Sequence, residues 1–135
     1  MNRQNFLFYS TLILSSLFLY SGLNKVIYSN EFHKSLEQNS FFDSGFTNLI
    51  LIITPYFELL IAVGLLLSIS RKIFLWISFV TLLIFTFYLI FINTIASLSE
   101  CGCGGLFSQL SFEYHLIFNL SFIIFNAVCI LFERK

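Results

Sequence analysis

The sequence predicts an all-α integral membrane protein, a bundle of four membrane-spanning helices. Apolar residues make up 58% of the 135 residues and charged residues only 10%, which is too little polar surface for a soluble domain. The apolar residues also fall into four long runs, each near the roughly 20 residues that a transmembrane helix needs. We expect a single domain in the lipid bilayer, and no basic patch indicates a nucleic-acid partner.

The four runs give the bounds of the predicted spans: residues 6–28, 47–70, 73–98 and 112–132. The longer connections are predicted to be two outer loops, residues 29–46 and 99–111. The first run follows a short basic start, as in a signal peptide. Its apolar length exceeds that of a signal core, however, and no clear small-x-small cleavage site follows. We therefore expect an uncleaved first helix.

The distribution of lysine and arginine predicts the orientation, because basic residues accumulate on the cytoplasmic side. Five basic residues fall on one side of the predicted bundle: Arg3, Arg71, Lys72, Arg134 and Lys135. We expect a bacterial inner-membrane protein with both termini in the cytoplasm. The two longer loops then face the periplasm, where a disulfide persists.

Lys25 and Glu58 are charged residues inside the predicted spans whose placement needs a physical reason. Lys25, near the outer end of span one, either extends to the membrane interface or pairs with a buried carboxylate. Glu58 follows Pro55 in span two, where a carboxylate costs about 2.5–3.5 kcal/mol, so we expect it to face the bundle interior. Glu58 is either protonated or paired with Lys25. Its role is either a structural contact between helices or work at a proton-handling or quinone site.

The segment from span one to span two carries local structural signals. Four small residues are expected to let a neighbouring helix approach span one closely: Ser15, Ser16, Ser21 and Gly22. In the first outer loop, Phe32 and Leu36 lie four residues apart among charged neighbours. This spacing predicts a short amphipathic helix on the membrane surface. Asp43-Ser44-Gly45 is typical of a turn.

The third and fourth spans contain several polar side chains. Those of span three are expected to make hydrogen bonds between helices and to have no other chemistry. In span four, His115, Asn119 and Asn126 recur at helical spacing and share a face that should point into the bundle. His115 either makes hydrogen bonds in the core or handles protons beside the cysteine loop. Cys129, near the inner end, is expected to be an inert buried thiol.

The reactive side chains of the chain concentrate in the polar break Glu100-Cys101-Gly102-Cys103-Gly104-Gly105. A disulfide between cysteines one residue apart strains its loop, and strain makes the bond labile and oxidising. Such a bond closes almost no loop, so it contributes little to stability. Thiol–disulfide exchange is therefore the favoured interpretation. A copper(I) or zinc site formed by the two thiolates and His115 is the alternative, and a pair with neither role is the third.

Several short motifs together resemble the MauE/DoxX group of small redox-associated membrane proteins. They are Ser21-Gly22-Leu23-Asn24-Lys25, then Pro55-x-x-Glu58 with Gly64, then Cys101-Gly102-Cys103-Gly104. The chain departs from the usual Cys-Gly-Cys-Phe-Gly pattern at Gly104. MauE-like proteins are implicated in methylamine utilisation, in maturing a periplasmic amine dehydrogenase rich in disulfides. Other relatives stand beside thioredoxin-like proteins or belong to quinone-linked sulfur metabolism.

The resemblance implies a four-helix bundle that passes disulfide equivalents or electrons at the outer membrane face. By position, Cys101 and Cys103 match the redox pair, and Lys25 and Glu58 match polar positions in the bundle. We therefore expect exchange with a periplasmic thioredoxin-like or client protein, with a quinone as the one cofactor to consider. Glu58, Lys25 and His115 are the candidates for proton handling or a quinone site. The alternative functions are a non-catalytic membrane subunit or assembly factor and, third, a thiol metal-handling protein.

Overall fold

The computed structural model of the chain describes residues 2–37, 43–68, 70–95 and 111–134. These residues form five helices and no strand: α1 (Arg3–Ile27), α2 (Ser29–Glu37), α3 (Ser44–Leu66), α4 (Arg71–Ile95) and α5 (Phe112–Arg134). The helices α1, α3, α4 and α5 are each long and apolar enough to cross a membrane. The prediction of an all-α membrane bundle with four spans is confirmed.

The four long helices pack around one another in the order α1, α3, α4, α5, with α5 returning to α1. The starts of α1 and α4 meet the end of α5. Arg3 Nη2 donates to the Glu133 carbonyl oxygen at 3.4 Å, and Arg71 Nη1 lies 3.9 Å from Glu133 Oε2. We call this the arginine end of the bundle (Arg3, Arg71, Glu133 and Arg134). The opposite end, where α1 ends and α5 begins at Phe112, is the loop end.

Apolar side chains form both the core and the outer surface of this bundle. The core cluster includes Leu14, Phe18, Ile61, Leu65 and Leu82, each at most 3% exposed. Large apolar side chains also cover the outside, for example Ile52, Phe87 and Ile124, which are 60–69% exposed. Water would penalise an apolar surface of this extent, so the described helices fit a lipid bilayer as their solvent.

The turn between α3 and α4 differs from the predicted boundary. Span two was expected to continue to residue 70, but α3 ends at Leu66 and α4 begins at Arg71. Ser68 and Ser70 have φ angles of 53° and 47°, in the left-handed region that a helix does not use. The apolar residues before Arg71 extended the hydrophobic run past the point where the backbone reverses.

The start of α3 also corrects a prediction. Asp43-Ser44-Gly45 was expected to be a turn, and span two to begin at residue 47. Instead, Asp43 is the N-cap of α3, because its Oδ1 accepts a hydrogen bond of 2.9 Å from the Ser44 backbone N–H. An aspartate that caps a helix gives the same sequence signal as an aspartate in a turn.

The short helix predicted in the first outer loop is present as α2. Its two apolar residues, Phe32 and Leu36, are 6% and 2% exposed. They are therefore buried against the bundle, where α2 packs on α3 and α1, rather than turned towards lipid. The amphipathic pattern predicted the helix correctly, but the apolar face covers protein.

The closest helix pairs are α1 with α3 and α4 with α5. Ser15 Oγ on α1 donates a hydrogen bond of 2.8 Å to the Ala62 carbonyl oxygen on α3. A Cβ at Gly22 would lie 3.0 Å from Leu59 and 3.1 Å from the Pro55 carbonyl oxygen, so a larger residue there would push α3 away by a few tenths of an ångström. The expected role of small residues holds for Ser15 and Gly22. It is wrong for Ser16, which is exposed and bonds within its own helix.

A hydrogen bond between α4 and α5 has an acceptor, Ser78, that the sequence did not single out. Asn126 Nδ2 donates to Ser78 Oγ at 2.7 Å, and both side chains are fully buried. By contrast, Thr81 and Thr86 donate to carbonyl oxygens four residues earlier in α4 itself. The expectation that these threonines bond between helices is wrong, because a threonine hydroxyl reaches its own preceding turn.

Replacing Gly64 with Ala is expected to destabilise the bundle. The new methyl group would collide with the ring of Phe74 on α4, and overpacking of this kind costs about 1–3 kcal/mol. Gly45→Ala in the same helix is the matched control, because nothing lies within 4 Å of a Cβ there. The measurement is the midpoint of thermal unfolding in a mild detergent. Equal midpoints for the two variants would contradict the close packing at Gly64.

Candidate functional site

A buried ion pair joins α1 and α3 near the loop end. Lys25 Nζ donates to both oxygens of the Glu58 carboxylate, at 2.8 Å to Oε1 and 3.0 Å to Oε2. The third Nζ hydrogen bond, of 2.7 Å, goes to Ser21 Oγ, which in turn donates to Glu58 Oε1 at 3.1 Å. An ammonium has three donors, so the Lys25–Glu58–Ser21 triad uses all of them internally.

Burial of the triad decides between the two interpretations of Lys25. The Lys25 side chain is 5% exposed and that of Glu58 is 0% exposed. Lys25 therefore pairs with the carboxylate, and the alternative in which it extends to the membrane interface is wrong. A buried charge needs such a partner, since an unpaired ion in an apolar medium is very costly. The expectation that Glu58 faces the bundle interior is confirmed.

The local sequence explains how the pair forms. Ser21 and Lys25 lie four residues apart, on one face of α1. Gly22 directly follows Ser21, and its lack of a side chain lets Pro55 and Leu59 of α3 approach α1 closely. Because Glu58 precedes Leu59 directly, this approach brings its carboxylate to Lys25.

Aromatic rings enclose the ammonium group on its remaining sides. Lys25 Nζ lies 5.3 Å from the ring centroid of Phe85 on α4 and 5.9 Å from that of Phe32 on α2. Both distances are within the range of a cation–π interaction. Helix α2 thus covers the triad from the loop end and helps to exclude water from it.

A cavity of about 280 Å³ adjoins the triad inside the half of the bundle nearest the loop end. All five helices line it, and most of its wall is apolar. The polar members of the wall come from four helices: Ser21, Lys25, Thr54, Glu58, Tyr88, His115 and Asn119. One apolar member, Ile84, is 60% exposed on the outside of α4, so the cavity reaches the lipid-facing surface there.

The structure brings three of the predicted site residues together. Lys25 and Glu58 are in contact, and His115 lines the same cavity with 7% of its surface exposed. His115 lies one turn into α5, where its backbone N–H donates to the Ser111 carbonyl oxygen at 3.1 Å. As predicted, the His115 and Asn126 face of α5 points into the bundle.

Cys101 and Cys103 lie outside the described residues, so their assignment as the redox pair stays a prediction. The segment that carries them joins the end of α4 to the start of α5, both at the loop end.

Cys129 is remote from that segment, as predicted. Its side chain is free and fully buried, 14 residues after His115 on the same helix. This separation corresponds to about 21 Å along the helix axis. In the described part of the chain, no three His, Cys, Asp or Glu side chains are grouped so that they could hold a metal ion. The thiol metal site with Cys101 and Cys103 stays a prediction, because two of its ligands lie outside that part.

Several residues of the site were missed by sequence reasoning. Ser21 was expected only to be small, although its position four residues before Lys25 indicates a possible hydrogen bond. Thr54 had a comparable signal, since it precedes Glu58 by one turn. Phe85 had none, because one phenylalanine among nineteen in an apolar chain is indistinguishable from core or lipid-facing residues.

The described helices define the class of the protein: a multi-pass helical membrane protein with a charged pair buried beside an internal cavity. Within this class, the chain belongs to the family described as methylamine utilisation protein MauE, whose family model matches residues 3–132. The MauE part of the resemblance is confirmed, and the wider likeness to DoxX stays a prediction. No curated protein and no solved structure matches the chain.

Proposed function

We propose that this protein is a membrane thiol–disulfide exchange protein that acts through Cys101 and Cys103. Its partner is a periplasmic thioredoxin-like protein or a client protein that matures by forming disulfides. The family description associates such proteins with methylamine utilisation, so a periplasmic amine dehydrogenase with several disulfides is one client of the right chemistry.

One observation carries the proposal. The segment with both cysteines is attached to the same end of the bundle as the Lys25–Glu58 pair and the cavity beside it. Membrane-buried charges are expensive and are commonly found at functional sites. The helix ends from which the cysteine segment starts and to which it returns are therefore at the same end of the bundle as the costly charges, whereas Cys129 lies towards the other end.

The proposed orientation follows the same division. Arg3, Arg71 and Arg134 share the arginine end, which we place in the cytoplasm. Near the opposite end, the charge of Lys25 is neutralised by Glu58. The loop end then faces the periplasm, an oxidising compartment in which a disulfide can form and persist.

The exchange step requires one thiolate that attacks the disulfide and one that leaves it. A thiolate of the reduced partner attacks one sulfur of the Cys101–Cys103 disulfide, and a mixed disulfide forms as the other sulfur leaves with the bonding electron pair. The second thiolate of the partner then breaks the mixed disulfide. The partner ends oxidised, and Cys101 and Cys103 end as thiols after taking up two protons.

His115, Glu58 and Lys25 are the proposed groups for proton movement beside these thiols. His115 is the nearest of the three to the cysteine segment along the chain, four residues after Ser111. Its imidazole carries two ring nitrogens, so one can accept a proton while the other donates one. Lys25 and Glu58 hold opposite charges in hydrogen-bond contact, so transfer of one proton between them would leave two neutral groups without changing the net charge.

Trapping of the mixed disulfide tests the proposal. In cells that express Cys101→Ser or Cys103→Ser, one of the two variants should accumulate an adduct with a partner that is released by reductant. Cys129→Ser in the otherwise unchanged chain is the matched control and should give no adduct. Identification of the adduct by mass spectrometry would name the partner.

The competing function is a non-catalytic membrane subunit or assembly factor that binds its partner without covalent chemistry. In that case neither single variant would trap an adduct, and the double variant Cys101→Ser/Cys103→Ser would still support the partner's assembly. This pair of results would overturn the exchange function.

A further inference from the structure

We infer that the cavity beside Lys25 and Glu58 binds the headgroup of a membrane quinone. This inference rests on the proposed exchange function for the role of the quinone as electron acceptor. The binding itself is argued from the cavity and is testable without any thiol.

The exposure of the cavity at Ile84 favours a ligand that is dissolved in the bilayer. All five helices line it, and its exposed member Ile84 lies on the outer surface of α4. A ligand that enters there arrives from the hydrocarbon region. The volume of about 280 Å³ is just below the usual range of about 300–1,000 Å³ for ligand pockets. This volume suits one ring system, with any long apolar tail left in the lipid.

The lining restricts the chemistry of that ring system. Aromatic side chains on three helices, Phe32, Phe85 and Phe118, supply faces and edges against which a planar ring can pack. The donors of Lys25 and Ser21 are used within the triad. Two other polar groups of the wall, Thr54 on α3 and Asn119 on α5, supply hydrogen-bond donors from helices on opposite sides of the bundle. A ring with a carbonyl oxygen at each of two opposite positions matches this arrangement.

The charge balance of the site favours a neutral ligand. The Lys25 ammonium is matched by the Glu58 carboxylate at 2.8 Å, so the wall carries no net charge from the pair. An anionic lipid headgroup would have to compete with Glu58 for Lys25 and would leave that carboxylate buried and unpaired. A quinone brings no charge of its own.

The chemistry of the cysteine pair calls for an acceptor of this class. A disulfide between two cysteines with one residue between them is strained and therefore oxidising. Its regeneration needs an electron acceptor that is at least as oxidising. In the balanced step, the Cys101 and Cys103 thiols lose two electrons and two protons and form the S–S bond. The quinone gains both electrons and both protons and becomes the hydroquinone.

Binding of decylubiquinone to the Cys101→Ser/Cys103→Ser protein tests the inference without thiol chemistry. The full chain is placed in lipid nanodiscs, and bound quinone is measured by equilibrium dialysis against empty nanodiscs. We expect saturable binding that n-decanol, an alkyl chain without a ring, does not displace. Menadione in the same assay shows whether the site accepts a naphthoquinone as well as a benzoquinone.

Thr54→Phe is the variant that should block the site. Thr54 lines the cavity one turn before Glu58, and a phenylalanine there fills part of the volume. The matched control is Ile53→Phe, since Ile53 is 53% exposed on the outside of the same helix. Thr54→Phe should raise the Kd for decylubiquinone about ten-fold or more, which is about 1.4 kcal/mol, and Ile53→Phe should leave it unchanged.

Photolabelling of the Cys101→Ser/Cys103→Ser protein with an azidoquinone gives a second result. This result does not depend on whether the Thr54→Phe variant folds. Labels on cavity residues of α3 and α5 would support the inference. It would be overturned by no saturable binding, by displacement with decanol, by equal Kd values for the two folded phenylalanine variants, or by labels confined to lipid-facing residues. Quinone binding without any mixed disulfide would overturn the exchange function alone, and a mixed disulfide without quinone binding would overturn this inference alone.

Discussion

Lys25→Met is expected to lower the free energy of unfolding by about 3–5 kcal/mol, the usual cost of removing one partner from a buried ion pair. Glu58 is fully buried, and the substitution removes two of the three hydrogen bonds that its carboxylate accepts. Only Ser21 would still donate to it. The measurement is unfolding of the detergent-solubilised protein, followed by the loss of helical circular dichroism as denaturing detergent is added.

Two further variants make this result specific to the pair. Lys34→Met removes an exposed lysine of α2 and should change stability little. Lys25→Met/Glu58→Leu removes both charges and fills the space with apolar side chains. Because apolar replacement of a whole buried pair is often neutral or stabilising, the double variant should recover most of the loss. A double variant as unstable as Lys25→Met would contradict the account of the pair.

Cys101→Ser or Cys103→Ser is expected to reduce the exchange of disulfides with a dithiol protein to the background rate. Each variant lacks one of the two sulfurs that the complete cycle requires. The free energy of unfolding should be nearly unchanged, because a disulfide across a single intervening residue closes almost no loop. The measurement is the rate at which membranes containing the protein oxidise a reduced thioredoxin-like protein.

Cys129→Ser provides the matched control for this rate. Cys129 is buried near the arginine end, about 21 Å along α5 from His115, so its removal should leave the exchange rate unchanged. If the exchange rate fell with Cys129→Ser but persisted in the Cys101 and Cys103 variants, the reactive thiol would be Cys129. That result would contradict the proposed role of Cys101 and Cys103.

The spans of this protein could be predicted from sequence because each depends on a local property, a run of about 20 apolar residues. The ends of the helices were harder to predict, because the same local composition is compatible with more than one backbone conformation. Leu66 and Leu67 continue the apolar run of α3, yet the chain reverses after Leu66. Asp43 caps α3 instead of forming a turn. In both cases composition identifies a boundary region but leaves its backbone angles undetermined.

The charged pair could be predicted only as an alternative. The cost of a buried carboxylate indicates that Glu58 needs a partner, and Lys25 was one candidate. The sequence does not show that α1 and α3 pack closely at Gly22, and this close packing is what brings Lys25 to Glu58. The cavity could not be predicted at all, because its wall combines a few residues from each of five helices. Its shape depends on how those helices pack.

The most direct test of the exchange function is the redox state of Cys101 and Cys103 in intact cells. Thiols are trapped with an alkylating probe before lysis, with and without prior addition of reductant, and the modified residues are identified by mass spectrometry. The exchange function predicts a pair that is oxidised in part, becomes fully alkylated after reductant, and returns to the disulfide once the reductant is removed. A pair that stays reduced and inaccessible to the probe under all these conditions would contradict it.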